Sequence, residues 1–166
     1  MNIGILSDSH DHQDNLRKAL DILKDKDVKI LLHAGDWVSP FMIPIIAQVG
    51  IPVEGVFGNN DGDKIMLMEQ WKKHLLGRGG KLTRAPRHLI IDNRTILLMH
   101  EPDEVDALAL SGVYDVIIHG HTHVAYSKIK GKTIIINPGE VYGVLKSSRS
   151  VAVYNTEDHK TEIVSF

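Results

Sequence analysis

Residues 2–36 read NIGILSDSHDHQDNLRKALDILKDKDVKILLHAGD, and this stretch decides the fold. Residues 2–6 are a short apolar run that stops at Ser7-Asp8, after which Leu16, Ala19, Leu20 and Leu23 recur at helical spacing. Residues 29–33 (KILLH) form a second strand of buried type, ending at Ala34-Gly35-Asp36. A strand, a helix and another apolar strand make a βαβ unit, whose parallel strands bring their carboxyl ends to one edge of a sheet. The pattern then repeats. FMIPIIAQVG (41–50) reads as a short helix bent or delayed by Pro44. PVEGVF (52–57) gives a third strand ending at Gly58, and a helix carrying Ile65, Met68, Trp71 and Leu75 follows until the GRGG stretch at 77–80.

The second half has another rhythm. RHLIID and TILLMH are joined by the turn residues Asp92-Asn93-Arg94, AYSKIK and TIIIN flank Gly131-Lys132, and SVAVYN and KTEIVSF flank residues 156–159. Each is a hairpin signal. A short helix over 103–111 closes at Gly112, and YDVIIH is a further strand ending at Gly120. No repeat, low-complexity tract or linker interrupts the chain, so one domain over 1–166 is expected.

Composition narrows the function classes. The chain has 166 residues, 43% hydrophobic and 24% charged, which suits an ordinary globular protein with a real core. Its formal net charge of -2, with Lys and Arg scattered, lacks the basic footprint of a long-nucleic-acid binder. The absence of cysteine excludes disulfides, thiolate metal sites, Fe–S clusters and a cysteine nucleophile. The start lacks a basic n-region and a long apolar h-region, and no stretch approaches a membrane span, so a cytoplasmic location without membrane attachment is the expectation. Neither GxxxxGK[ST] nor a GxGxxG after the first strand is present.

Five strand ends carry metal-capable groups: Asp8-Ser9-His10, Gly35-Asp36, Gly58-Asn59-Asn60-Asp61, His100, and Gly120-His121-Thr122-His123. On extended backbone, alternate residues point the same way, so Asp-x-His and His-x-His would each send two ligands to one cluster. A single one of these motifs would pass for a turn. Five converging in one small chain point to a metal site.

The order Asp-x-His, Gly-Asp, Gly-Asn-x-Asp, His, Gly-His-x-His resembles the calcineurin-like metallophosphoesterase superfamily. Residues 136–139 (INPG) resemble its small single-domain phosphodiesterase branch, to which the retromer subunit is related. The resemblance implies an α/β (α+β) fold, a four-layer sandwich of two mixed β-sheets flanked by helices. It implies one metal held by Asp8, His10, Asp36 and His123, and a second held by Asp36, Asn59, His100 and His121, with Asp36 bridging. Oxygen and imidazole ligands without sulfur suit Mn²⁺, Fe²⁺, Zn²⁺ or Ni²⁺ alike, and Mn²⁺ is the expectation, with Ni²⁺, Fe²⁺ or Zn²⁺ as alternatives. Two divalent cations outweigh the two carboxylates and a bridging hydroxide, so the site would attract a phosphate and activate the hydroxide for hydrolysis of a small phosphodiester.

Two positions depart from the family's usual pattern. Asn60 stands where many members have a histidine, which moves attention to Asn60 as a phosphate hydrogen-bond donor and to His12 as a phosphate-contacting or proton-donating group. Glu101 follows His100 where glycine is usual; it reads first as a solvated loop residue, the alternative being a carboxylate near the site that would disfavour substrates with extra phosphates. Ser7 and Ser9 read as supporting residues, Glu140 as a loop residue that could partner a ligand, and His33 and His119 as core histidines. Two other functions compete: a metal-poor protein-binding scaffold like the retromer subunit, and a phosphomonoesterase. Edge strands or the Met66–Met68–Trp71 helix leave a homo-oligomer open.

Overall fold

The computed structural model describes residues 1–166. The chain runs β1 (Asn2–Leu6), α1 (Gln13–Asp25), β2 (Ile30–His33), α2 (Met42–Ile46), β3 (Val53–Val56), α3 (Lys64–Leu75) and β4 (Leu82–Thr83). It continues through β5 (Arg87–Ile91), β6 (Arg94–Leu98), α4 (Val105–Leu110), β7 (Val116–Ile118), β8 (Tyr126–Lys130), β9 (Thr133–Asn137), β10 (Ser150–Asn155) and β11 (Lys160–Ser165). Two mixed sheets result, ordered β11-β10-β1-β2-β3-β4 and β5-β6-β7-β9-β8. No helix is long and apolar enough to cross a membrane.

The layers follow from which face each strand leaves apolar. Ile3, Ile5, Leu32 and Val56 of the first sheet meet Ile96, Leu98, Val116, Ile118, Ile134 and Ile136 of the second, forming the core between the sheets. On the outer face of the first sheet, Leu6, Leu31 and Val53 pack with Leu16, Leu20 and Leu23 of α1, Ile43 and Ile46 of α2, and Trp71 and Leu75 of α3. Leu97, Ile117 and Ile135 turn the other way, onto Val105 and Ala109 of α4. The four-layer sandwich implied by the resemblance is therefore the architecture found.

Local chemistry explains the joints. The β5–β6 turn places Asp92 and Asn93 at φ 50 and 61, the left-handed pair that a two-residue hairpin requires. Pro44 is the third residue of α2, where a helix needs no backbone donor, so it neither bends nor delays the helix.

The structure corrects one detail. In α3 the inward stripe is Leu67, Trp71 and Leu75, whereas Ile65 is 75% exposed. The C-terminal hairpin, whose sheet the sequence leaves open, extends the first sheet: β10 pairs antiparallel with β1, Ile5 opposite Ala152.

Leu98 lies fully buried between the sheets, so Leu98→Ala should cost about 2–5 kcal/mol in urea unfolding. Ile65→Ala should stay within about 0.5 kcal/mol. Equal losses from the two variants would contradict the layer assignment.

Candidate metal centre

The parallel strands β1 and β2 end side by side, Leu6 opposite His33, and β6 and β7 do the same in the second sheet with Leu98 opposite Ile118. Face-to-face packing places these ends together. The loops beyond them are locked to one another: Asp8 N–H donates to Gly35 O at 3.0 Å, Ser9 and His10 N–H both donate to Asp36 O at 3.1 and 3.2 Å, and Gly120 N–H donates to His100 O at 3.1 Å.

These loops are not extended. Asp8, His10, Asp36, His121 and His123 have φ of 54, 38, 58, 67 and 60. The expectation that Asp-x-His and His-x-His alternate along a strand is thus wrong in mechanism. The ligands converge because the chain turns left-handed just beyond the strands, a conformation that Asp, Asn and His tolerate better than other non-glycine residues. Val38, at φ 68, tolerates it poorly and is held by a hydrogen bond from its N–H to Asp61 Oδ1 at 2.8 Å. Glycine at 58 serves space: a Cβ there would sit 2.1 Å from Asp36 Oδ1 and 2.5 Å from Asp36 N.

All seven side chains singled out in the sequence come to one place. On one side, Asp8 Oδ1 lies 3.8 Å from His10 Nε2 and 3.5 Å from His123 Nε2. On the other, Asn59 Oδ1 lies 2.8 Å from His100 Nε2 and 2.9 Å from His121 Nδ1. Asp36 stands between, with Oδ2 3.4 Å from His10 Nε2 and Oδ1 3.4 Å from His100 Nε2. Its two oxygens face two separate imidazole groups, which is the disposition a bridging carboxylate needs.

A cation fits this donor set. Asp8 and Asp36 are fully buried, and their ionic neighbours are histidines, with no Lys or Arg among them. Asp8 Oδ1 and His10 Nε2 are buried without a hydrogen-bond partner. Buried charge without compensation is costly. Asp8, His10 and His123 on one hand, and Asp8, Asp36 and His100 on the other, each present ligand atoms within 4.8 Å of one another. His100 Nδ1 donates to Ala34 O at 2.8 Å, across the two sheets, which frees Nε2 for the site.

The electrostatics agree with that reading. Burial would raise the Asp36 carboxyl, but hydrogen bonds from His100 and Asn60 outweigh it and hold the group well below the usual carboxylate range. Burial would lower His10 and His100, yet the carboxylates prevail and raise both, with Asp8 and Asp36 acting on His10 and Asp36 leading at His100. In the absence of metal these imidazoles attract protons, so metal binding displaces them.

Asn60 donates its N–H and its side-chain amide to Asp36 Oδ1 and Oδ2 at 2.9 and 2.7 Å. His12 is the N-cap of α1, its Nδ1 accepting from Asn15 N–H at 3.3 Å. Glu101 is exposed and lines the opposite flank beside His100.

Three supporting groups were only partly visible in sequence. Asp61 is buried and accepts from Val38 and Gly58 N–H, tying two loops together, and its burial raises it. Glu140 is fully buried against His123. His33 accepts from Gly35 N–H on Nδ1, so its proton is on Nε2, 3.2 Å from Ser9 Oγ, and its ring stacks on Trp37 at 3.5 Å. A buried histidine beside a carboxylate motif signals such support only once its partners are known.

Comparison with known proteins adds an independent line. Residues 1–159 match the model of the calcineurin-like phosphoesterase superfamily domain. A phosphodiesterase of Methanocaldococcus jannaschii is 34% identical over 159 residues, covering 95% of this chain and 94% of that one. The solved structure of an archaeal phosphodiesterase superposes with a TM-score of 0.92 at 32% identity over the whole of both chains. Vacuolar protein sorting 29 from Cryptosporidium parvum shares the fold, with a TM-score of 0.67 at 17% identity over 99% of this chain and 96% of that one.

Burial lowers His33 well below its ordinary value of 6.5, so the folded protein keeps it neutral while the unfolded chain protonates it. The unfolded state then binds more protons below about pH 6.5, and the stability His33 contributes is full above that pH and declines as the pH falls. In EDTA, the stability difference between wild type and His33→Gln should shrink on acidification from pH 7.5 to 5.5, as read by urea unfolding. A difference independent of pH would contradict the neutral buried state.

Proposed function

The chain belongs to the calcineurin-like phosphoesterase superfamily, and we propose that it is a metal-dependent phosphodiesterase acting on a small phosphodiester. One observation carries this reading: the buried carboxylate of Asp36 aims its two oxygens at two imidazole groups in a pocket without a fixed cation. Asp8, His10, Asp36 and His123 would hold one divalent ion, and Asp36, Asn59, His100 and His121 a second. Such ions supply Lewis-acid activation of water and neutralise charge on the phosphate. Mn²⁺ is taken as the first candidate, and Ni²⁺, Fe²⁺ or Zn²⁺ can use the same oxygen and imidazole donors.

The chain's own residues then select and orient the substrate. The cleft on one flank, about 460 Å³, is lined by His10, Asp11, His12, Gln13, Asp14 and Tyr142. The other flank carries Glu101 and Asp103. Neither presents Lys or Arg, so a dianionic monoester would meet carboxylates on both sides, whereas a diester brings a single negative charge. This favours diester over monoester hydrolysis. It also limits multiply phosphorylated substrates.

Asn60 and His12 have complementary roles in this reading. Asn60 fixes the orientation of Asp36 and lies at the exposed mouth, within the loop where phosphate would arrive. His12 caps α1 through Nδ1, which puts its ring proton on Nε2, and it borders the cleft. That N–H can donate to a substrate oxygen without any help from position 60. The chain as a whole would form one domain.

With Mn²⁺ or Ni²⁺ added, kcat/KM for bis(p-nitrophenyl) phosphate should exceed that for p-nitrophenyl phosphate, and Asp36→Ala should fall to the metal-free background. A monoester preference would overturn the diester assignment, and full turnover by Asp36→Ala would overturn the bridging carboxylate. No hydrolysis of any ester by metal-loaded protein would favour a binding scaffold instead. His12→Ala should slow diesters with poor alkoxide leaving groups by up to about 10²-fold and p-nitrophenyl diesters much less; equal effects would remove His12 from the leaving-group side.

A further inference from the structure

Glu140 is an acidic residue with no exposed surface, although residues 144–148 of the same loop are exposed. It follows β9 by three residues, and Gly139 before it has φ 82, turning the chain back under the metal centre. Oε2 lies 2.7 Å from His123 Nδ1, and Oε1 accepts Lys146 N–H at 2.6 Å. Both oxygens are therefore acceptors, which a carboxylate alone among side chains of this shape can satisfy. His123 is the one residue with which Glu140 forms an ion pair, and through His123 it joins the Asp8–His10–Asp36 cluster.

We infer that Glu140 is the positioning residue for the first metal site: it keeps the His123 proton on Nδ1, leaves Nε2 as a lone-pair donor, and ties that ligand to the loop running to Lys146. The inference rests on the metal-cradle reading given above. With the proton on Nδ1, Nε2 faces Asp8 Oδ1 at 3.5 Å as a ligand instead of a donor. Carboxylates behind metal-bound histidines fix the tautomer and the ring orientation in this way. The same loop hydrogen-bonds to the cradle from behind, because Val141 N–H donates to Ser7 O at 3.1 Å and Tyr142 N–H to Asp8 O at 3.0 Å. Tyr142 in turn sets its ring 5.3 Å from that of His10. Glu140 thus links the ligand from the second sheet to the loop that borders the substrate cleft.

Glutamine at this position separates the role from mere packing. It has the same shape but one acceptor, so it must either turn its amide N–H₂ toward His123, imposing the wrong tautomer, or lose the Lys146 N–H bond. Zn²⁺ titrated into metal-free wild type and Glu140→Gln, followed by calorimetry below the unfolding temperature of both, reads the two sites directly. The expected result is a first-site affinity about 10–100-fold weaker in the variant, with the second site unaffected. Equal weakening of both sites, or none, in a variant that folds would overturn the role of Glu140 while leaving the cradle standing. No Zn²⁺ binding by wild type would overturn the cradle and the inference with it.

Should Glu140→Gln fail to fold, the wild type decides alone. Long-range ¹H–¹⁵N spectra of the Zn²⁺-saturated protein should show His123 protonated on Nδ1 and metal-bound through Nε2. An unprotonated or metal-bound Nδ1 would overturn the proposal.

Discussion

The packing of one sheet's apolar face on the other is the constraint on which the rest depends. Ile3, Ile5 and Leu32 can only bury themselves against Ile96, Leu98, Ile118 and Ile136 if the two sheets stack with their strand ends in step. That alignment carries Asp8 and Asp36 from one sheet to His100, His121 and His123 from the other. The hydrogen bond from His100 Nδ1 to Ala34 O joins the sheets at the centre itself. Stability and site geometry are thus the same fact seen at two distances from the core.

Above that core the backbone is strained. Non-glycine residues in the left-handed region cost about 1–2 kcal/mol each, and the loops at the strand ends place several there at once. Backbone hydrogen bonds to Gly35, Asp36 and His100 carbonyls hold them, together with Asp61 reaching Val38 and Gly58. The result is a rigid set of donors surrounding two buried carboxylates that no lysine or arginine neutralises. Such a surround is stable for a cation and expensive without one, which relates the fold to the chemistry of the family.

Much of this was legible in the amino-acid order. The spacing of Leu16, Ala19, Leu20 and Leu23, the apolar runs ending in Asp or His, and the turn residues at 92–93 and 131–132 report local preferences that tertiary packing reinforces. The seven candidate ligands could be gathered because parallel strands must end on one edge. What escaped depended on long-range pairing or on backbone conformation. That β10 lies beside β1 is set by a contact between the two ends of the chain, and no local signal encodes it. The left-handed turns at Asp8 and His10 defeat any argument from strand alternation. Ile65 and Leu67 cannot be ranked by composition, since only the position of the sheet decides which side of α3 is covered. Glu140 looked like a loop carboxylate because its partner lies seventeen residues earlier, across a hairpin.

In the proposed centre Asp36 bridges two metal ions. Anomalous diffraction from Mn²⁺-loaded crystals can show that bridge. Two manganese peaks are expected about 3.5–4 Å apart, one contacted by Asp8, His10 and His123, the other by Asn59, His100 and His121, with an Asp36 oxygen on each. A single peak, or two peaks that Asp36 does not join, would contradict it.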